Sequence, residues 1–100
     1  MKRIIVHSEA ELELWQAVDY YETKYASLGL DLEQEVSRAF VDILEAPDRW
    51  PAKRDGARCH LLHRFPYGIY YIELQDVIWI VAVAHTRRKP YYWRYRMNAQ

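Results

Sequence analysis

Basic and aromatic side chains are concentrated near the end of the chain, in the stretch HTRRKPYYWRYR (residues 85–96). Five of its twelve residues are Arg or Lys, four are aromatic and none is acidic. Arginine keeps its proton in proteins, so it can hold a phosphate or a developing negative charge, and aromatic rings can stack on bases. Three roles are therefore open: gripping RNA, supplying a catalytic cation, or packing the rings against a sheet while the charges stay in water.

The rest of the charge is divided unevenly along the chain. The net charge is zero, but residues 9–48 carry eleven acids and two bases, whereas residues 49–100 carry ten bases and three acids. This split predicts two differently solvated faces, or a basic end that meets an anionic partner, either nucleic acid or an acidic protein segment. The basic residues of the second half that could gather at one end of a sheet are Lys53, Arg54, Arg58, Arg64, Arg87, Arg88 and Lys89.

Other kinds of site find less support in the residue pattern. His60 and His63 are three residues apart on an expected strand, so their side chains would point to opposite faces, and we expect no metal site. Cys59 is the single cysteine; it lacks an obvious neighbouring base and is expected to be a small buried residue rather than a nucleophile. The three glycines are far apart, so no glycine-rich phosphate loop and no nucleotide cofactor are expected.

Length and composition limit the class of protein. A chain of 100 residues predicts one domain. No apolar run approaches the ~18 residues that a membrane span needs, and the N-terminus lacks the apolar region of a signal peptide. A single cysteine cannot form an internal disulfide, so the expected location is a reducing cytoplasm.

The elements that would position these residues begin with a strand and two helices. Residues 2–6 predict the strand, and Ser8 with Glu11 three residues on predicts a capping box at a helix start, with Gly29 as the stop. A second helix is expected from Asp31 to Pro47. Because the link is only about three residues long, the helices should form an antiparallel hairpin. The expected buried positions are Ala10, Leu14, Val18, Tyr21, Tyr25 and Leu28, then Leu32, Val36, Ala39 and Ile43.

Three further strands are predicted after a loop at 47–57. They cover residues 58–65, 69–74 and 77–84, with turns at 66–68 and 75–76. The order predicts an α+β domain: an N-terminal strand, a helical hairpin and a three-stranded antiparallel meander, with the hairpin packed on one face of a mainly antiparallel sheet. The last strand is apolar on both faces, so it should be central and covered on both sides. Either the C-terminal segment or a partner should cover the face away from the hairpin.

Three local patterns in this arrangement resemble the RelE/ParE superfamily of bacterial toxins from type II toxin–antitoxin pairs. They are APDRWP (46–51), RFPYGIYY (64–71) and VAVAHTRRKPYYWRYR (81–96). The second and third are very similar to members described as ParE-like toxins or plasmid stabilization proteins. The resemblance covers essentially the whole chain and implies one of two activities. RelE-like members resemble ribosome-dependent ribonucleases that cut mRNA, whereas ParE-like members are similar in fold but act on DNA gyrase.

The cations of the nuclease pattern help to choose between these activities. The resemblance places basic side chains on the second strand and just past the following turn, where fixed cations stabilise negative charge on phosphate during attack by the RNA 2′-hydroxyl. With the pattern anchored on Tyr67 and Tyr71, these positions fall on Cys59, Leu61 and Gly68, and none can supply charge.

An arginine after the last strand completes the nuclease pattern. It finds a counterpart in Arg87, with Tyr92 or Trp93 as the aromatic residue that follows. A register shift of one residue would recover Arg58 or Arg64, but not the whole set. The resemblance therefore favours a ParE-like toxin that inhibits DNA gyrase by binding it and is neutralised by a cognate antitoxin.

Two alternatives remain open at this point. One is a ribosome-dependent mRNA endoribonuclease that uses Arg64, Arg87, Arg88 and Tyr92, and the other is a non-toxic interaction protein of the same fold. An antitoxin tail with an amphipathic helix and acidic residues would suit both the second apolar face and the basic end. HTRR (85–88) is the expected contact corner, near Arg64, and PYYWRYR (90–96) a packing segment with solvated cations. The candidate contacts to target or antitoxin are Arg58, Arg64, Tyr71, His85, Arg87, Arg88, Tyr92 and Trp93.

Overall fold

The chain starts with strand β1 (Arg3–Val6) and turns directly into helix α1 (Ser8–Lys24). The structure is a computed structural model that describes residues 2–98. His7, rather than Ser8, caps the helix: its ring Nδ1 accepts the backbone N–H of Glu9 at 3.0 Å. The predicted capping box is therefore wrong by one residue, because the histidine side chain already satisfies an open donor of the first turn.

A three-residue link joins α1 to helix α2 (Leu28–Glu45), which confirms the predicted hairpin. Gly29 lies inside α2 and does not end α1, and the predicted cap at Asp31 is replaced by Ser27, which has a φ of 70°. The carboxylate of Glu22 accepts the backbone N–H groups of Ser27 and Gly29, both at 2.9 Å. Glu22 thus supplies the acceptors that the N-terminus of α2 needs.

Close approach of the two helices explains the glycine in α2. A β-carbon on Gly29 would lie 2.4 Å from the carbonyl oxygen of Val18, so a larger residue would push the helices apart. Tyr25, expected to be buried, is 75% exposed because α1 ends at Lys24. The α2 stripe is confirmed, since its predicted members are all buried: Leu32, Val36, Ala39 and Ile43.

The sheet contains three strands besides β1: β2 (Arg58–Leu61), β3 (Tyr67–Glu73) and β4 (Val77–His85). Their order is β1-β4-β3-β2, with β1 parallel to β4 and the other pairs antiparallel. The sheet is therefore mixed and mainly antiparallel. Strand β2 is shorter than predicted, and Tyr67 and Gly68 belong to β3, because the turn between these strands lies at residues 62–66.

Strand β4 is central and covered on both faces, as its apolar sequence predicts. We call the face under the helices the inner face and the opposite one the outer face. Tyr70 lies opposite Ala82 and Tyr71 opposite Ile80, so Val81 is an extra residue in β4, a β-bulge. The buried residues of β4 on the inner face are Ile78, Ile80 and Val83, and those on the outer face are Trp79, Val81, Ala82 and Ala84.

The C-terminal segment, residues 91–98, covers part of the outer face. Trp93 is 2% exposed and packs 4.9 Å from the ring of Tyr70, centroid to centroid. A short 3-10 helix (Arg94–Asn98) follows, and the indole N–H of Trp79 donates to the carbonyl of Arg96 at 3.1 Å. Of the two predicted ways to cover this face, a partner or the C-terminal segment, the structure therefore contains the second. Among residues 2–98, no helix is both long and apolar enough to cross a membrane.

Candidate functional site

A tight turn after β4 presents the predicted contact corner. The carbonyl of Pro66 accepts the N–H of Thr86 at 2.8 Å, and the carbonyl of His85 accepts the N–H of Arg88 at 3.0 Å. The ring Nδ1 of His85 also accepts the N–H of Arg87 at 3.0 Å. These bonds use the backbone donors of the turn, and the side chains of Arg87 and Arg88 lie on the surface.

A cavity of about 220 Å³ lies between this turn and helix α1. We call it the corner pocket. Arg88 stands 3.9 Å from the ring centroid of Tyr92, a cation–π contact that orients the guanidinium, and Tyr67 lies edge-on to His85 at 5.2 Å. The pocket is lined by Glu13, Gln16, Ala17 and Tyr20 of α1 and by Tyr67, Val83, His85 and Arg88.

Glu13, in the wall of the pocket, is the centre of a partly buried polar network. Its carboxylate accepts two hydrogen bonds from the guanidinium of Arg96, at 2.9 and 3.1 Å. It also accepts the Tyr92 hydroxyl at 2.5 Å and the backbone N–H of Val83 at 3.1 Å. The backbone N–H of Val83 is available to Glu13 because strand β1 pairs with β4 only as far as Ile80.

The network also raises the pKa values of two of its members, Arg96 and Tyr92. Burial opposes the charge on Arg96, but its hydrogen bonds to Glu13 and Tyr95 outweigh this and raise its pKa above the usual value. Burial, and then the hydrogen bond to Glu13, raise the pKa of the Tyr92 hydroxyl. The expectation of solvated cations is wrong for Arg96, which is 4% exposed and also donates to the carbonyl of Val81 at 3.1 Å.

Sequence reasoning missed Glu13, although a signal was available. Glu13 lies three residues after Ala10 and four before Ala17, both of which are buried. An acid on the buried stripe of a helix needs a partner. That partner, Arg96, lies 83 positions further along, so nothing local in the sequence indicates it.

The three uncharged positions of the nuclease pattern come together on the outer face. A β-carbon on Gly68 would lie 2.8 Å from the Cys59 sulfur and 3.2 Å from the Leu61 side chain. Leu61 is 57% exposed. Burial raises the pKa of the Cys59 thiol, so the thiol stays neutral at physiological pH. We call these three residues the Leu61 patch; the patch is uncharged, with an exposed leucine at its centre.

The nearby arginines do not join this patch. Arg58 lies on the inner face opposite Tyr71, and its guanidinium donates to the carbonyl of Trp50 at 2.5 Å. Arg64 pairs with Asp31 of α2 at 3.4 Å and stacks on Phe65. The expected cluster of Arg64 with His85 and Arg88 is wrong, because Arg64 is held against α2 and lines a different cavity.

Two of the eight candidate contacts are core residues. Tyr71 is completely buried, and its hydroxyl donates to the carbonyl of Pro47 at 2.6 Å, which anchors the loop after α2. Trp93 is buried in the outer-face core. Neither side chain presents surface to a partner in this fold, so both are wrong as contact residues.

Comparison with known proteins assigns the chain to a family. Residues 4–90 match the model for the ParE toxin of the type II toxin–antitoxin system parDE. The chain belongs to this family. This match confirms the resemblance to ParE-like toxins that the sequence patterns indicated.

The fold of this ParE-family chain is also similar to a solved structure. A chain of the chromosomal ParDE TA system from P. aeruginosa superposes with a TM-score of 0.74 at 17% sequence identity. The match covers 85% of this chain and 95% of the other. At this identity the likeness shows the shared α+β fold. No curated protein matches the chain.

Proposed function

We propose that this ParE-family toxin inhibits DNA gyrase in the cytoplasm by binding it, and that a cognate antitoxin neutralises it, in a system for plasmid stabilization or growth control. The observation that carries the proposal is the Leu61 patch. Its three residues occupy the positions at which the nuclease pattern requires cations, and they are uncharged and packed closely together.

The Leu61 patch lacks the fixed cations that cleavage of a phosphodiester needs. Cleavage through the RNA 2′-hydroxyl builds negative charge on phosphate, and fixed cations around that charge lower the barrier. The guanidinium of Arg58 is engaged by the carbonyl of Trp50, and the exposed Arg64 lies beside Asp31 of α2 rather than at the patch. Arg87 alone remains of the pattern, so binding is favoured over catalysis.

An exposed leucine on the outer face of the sheet suits a protein contact. Single exposed apolar residues are common on surfaces. Leu61 differs in its neighbours: Gly68 has no side chain and Cys59 is small and half-buried, so the leucine stays accessible at the end of β2. We infer that the patch contacts gyrase, with Leu61 as the anchoring side chain. An anchoring residue contributes about 1–2 kcal/mol or more to binding, at least a fivefold to thirtyfold change in affinity.

The test is DNA supercoiling by purified gyrase in the presence of purified toxin. We expect dose-dependent loss of supercoiling, and the cognate antitoxin should abolish this loss. Leu61→Asp should weaken inhibition at least tenfold, because it places a charge in an apolar contact. Leu30→Asp is the matched control, since Leu30 is 50% exposed on α2 and lies outside the patch.

Two results would contradict the proposal. Growth arrest with undiminished supercoiling at molar excess of toxin, together with codon-positioned mRNA cuts that Arg87→Ala removes, would establish the endoribonuclease instead. Induction without any effect on growth would indicate a non-toxic interaction protein.

A further inference from the structure

We infer that the corner pocket binds the carboxylate of an acidic side chain in an apolar peptide segment. The site lies apart from the Leu61 patch: it is formed by α1 and by the turn after β4. That this segment belongs to the antitoxin rests on the proposed function; the chemistry of the pocket does not.

Hydrogen-bond donors dominate the lining of the pocket. Arg88 supplies a permanent cation, and Gln16, Tyr20 and Tyr67 carry further donors. The Nδ1 atom of His85 accepts the N–H of Arg87, so the proton of the neutral ring is on Nε2, which is then a donor. A carboxylate, which only accepts hydrogen bonds, complements this set.

The one acid in the lining does not oppose such a ligand. Glu13 accepts hydrogen bonds from Arg96, Tyr92 and the backbone of Val83, with both oxygens engaged. The positive charge of Arg96 lies closest to Glu13, at 2.9 Å, and is shared with Glu9, at 3.7 Å. Arg88 is the one Arg or Lys in the lining, and its guanidinium is the group with which a second carboxylate would pair.

Arg88 is also held in place before a ligand arrives. Its guanidinium lies over the ring of Tyr92, whose hydroxyl is bonded to Glu13. Ordering a long side chain on binding costs conformational entropy, and this stacking removes part of that cost. A cavity of about 220 Å³ has room for a carboxyl group and a few waters of roughly 30 Å³ each.

The surface beside the pocket favours a peptide over a nucleic acid. Leu12 and Tyr20 flank Gln16 on the same side of α1, one turn away in each direction, and are 56% and 54% exposed. The exposed acids Glu9 and Asp19 lie on the same helix. A nucleic-acid strand carries a negative charge at every nucleotide and would meet these acids repeatedly, whereas an apolar segment with a single carboxylate could place that one charge at Arg88 and pack on the leucine and the tyrosine.

The experiment is an NMR titration of the ¹⁵N-labelled full chain with a capped Leu-Glu-Leu peptide. We expect amide shifts in the 85–88 turn and the middle of α1. Arg88→Gln should weaken binding about tenfold, as expected for loss of a charge-assisted hydrogen bond. Arg87→Gln, which removes the same charge one residue away but outside the pocket, should change the dissociation constant less than about twofold.

Several outcomes would overturn the inference. Equal losses in the two arginine variants would indicate diffuse electrostatics, and equal binding of a Leu-Gln-Leu peptide would show that the carboxylate is not recognised. Tighter binding of hexathymidylate with the same dependence on Arg88 would identify a nucleic-acid site, and the absence of shifts at millimolar peptide would show that no site exists. The titration uses neither gyrase nor antitoxin, so it succeeds or fails independently of the proposed function.

Discussion

Replacing Glu13 with Gln should destabilise the protein severely without changing its shape. The substitution keeps the size of the side chain but removes the charge that balances Arg96. The side chain of Arg96 is 5% exposed and that of Glu13 is 13% exposed, at a separation of 2.9 Å. In Glu13→Gln the guanidinium stays buried and charged, the amide can accept only one of its two hydrogen bonds, and the remaining carboxylate nearby is that of Glu9, which is 47% exposed and 3.7 Å from Nε.

Burial sets the magnitude of this effect. Removing one partner of a buried ion pair costs about 3–5 kcal/mol because an uncompensated charge is left inside. A domain of this size has a free energy of unfolding of about 5–15 kcal/mol, so the loss is about a fifth of it or more. Arg96→Met should be milder, since Glu13 would keep the Val83 and Tyr92 donors. The double variant should recover about 1–3 kcal/mol relative to the sum of the singles.

Urea unfolding followed by tryptophan fluorescence measures these differences, because Trp79 and Trp93 are both buried on the outer face. Asp19→Asn, at an exposed acid of the same helix, is the control and should stay within about 0.5 kcal/mol of the parent. A loss below about 1 kcal/mol for Glu13→Gln at an unchanged m-value, or strictly additive single variants, would refute the account of a buried, coupled pair.

Two further predictions concern alkaline pH and the helical hairpin. Burial raises the pKa of Tyr70 and of Tyr71 from 10.0 to about 12, so above pH 10 the folded state binds more protons than the unfolded state. Stability should be complete below that pH and fall as pH rises from about 10 to about 12; urea midpoints and tyrosinate absorbance across this range measure it, and a flat profile would contradict it. Gly29→Ala would normally favour a helix by about 0.5–1 kcal/mol, but the contact with the Val18 carbonyl should make it destabilising by about 1–3 kcal/mol. Ser37→Ala on the exposed side of α2 is the matched control, and a stabilised Gly29→Ala variant would show that the helices can separate freely.

Local sequence patterns predicted where the strands and helices lie better than they predicted which of them pair with each other. The order of strands and helices, the buried α2 stripe and the two-sided burial of β4 all follow from periodicity and from connections too short for crossovers. The parallel pairing of β1 with β4 joins distant parts of the chain, and no local signal specifies it. Errors at element ends have local causes, such as the His7 cap.

The candidate site was predictable only in part. The exposed corner of His85, Arg87 and Arg88 follows from a run of cations directly after a strand. Burial of Arg96 does not, because it depends on Glu13 and on the gap left where β1 ends. The family pattern indicated which positions of the patch would lack charge, but the exposure of Leu61 is a property of the folded edge strand.

The distance along the chain between the two members of the Glu13–Arg96 pair has a consequence for how the toxin is made. They are 83 positions apart, and at about 5–20 residues per second the ribosome needs roughly 4–17 s to add that many. During this time the helical hairpin has no sheet to pack on, since β1 must wait for β4. The corner pocket needs β4 and the turn that follows it. The nascent chain therefore has neither the Glu13–Arg96 pair nor the corner pocket until β4 and the segment after it have been synthesised.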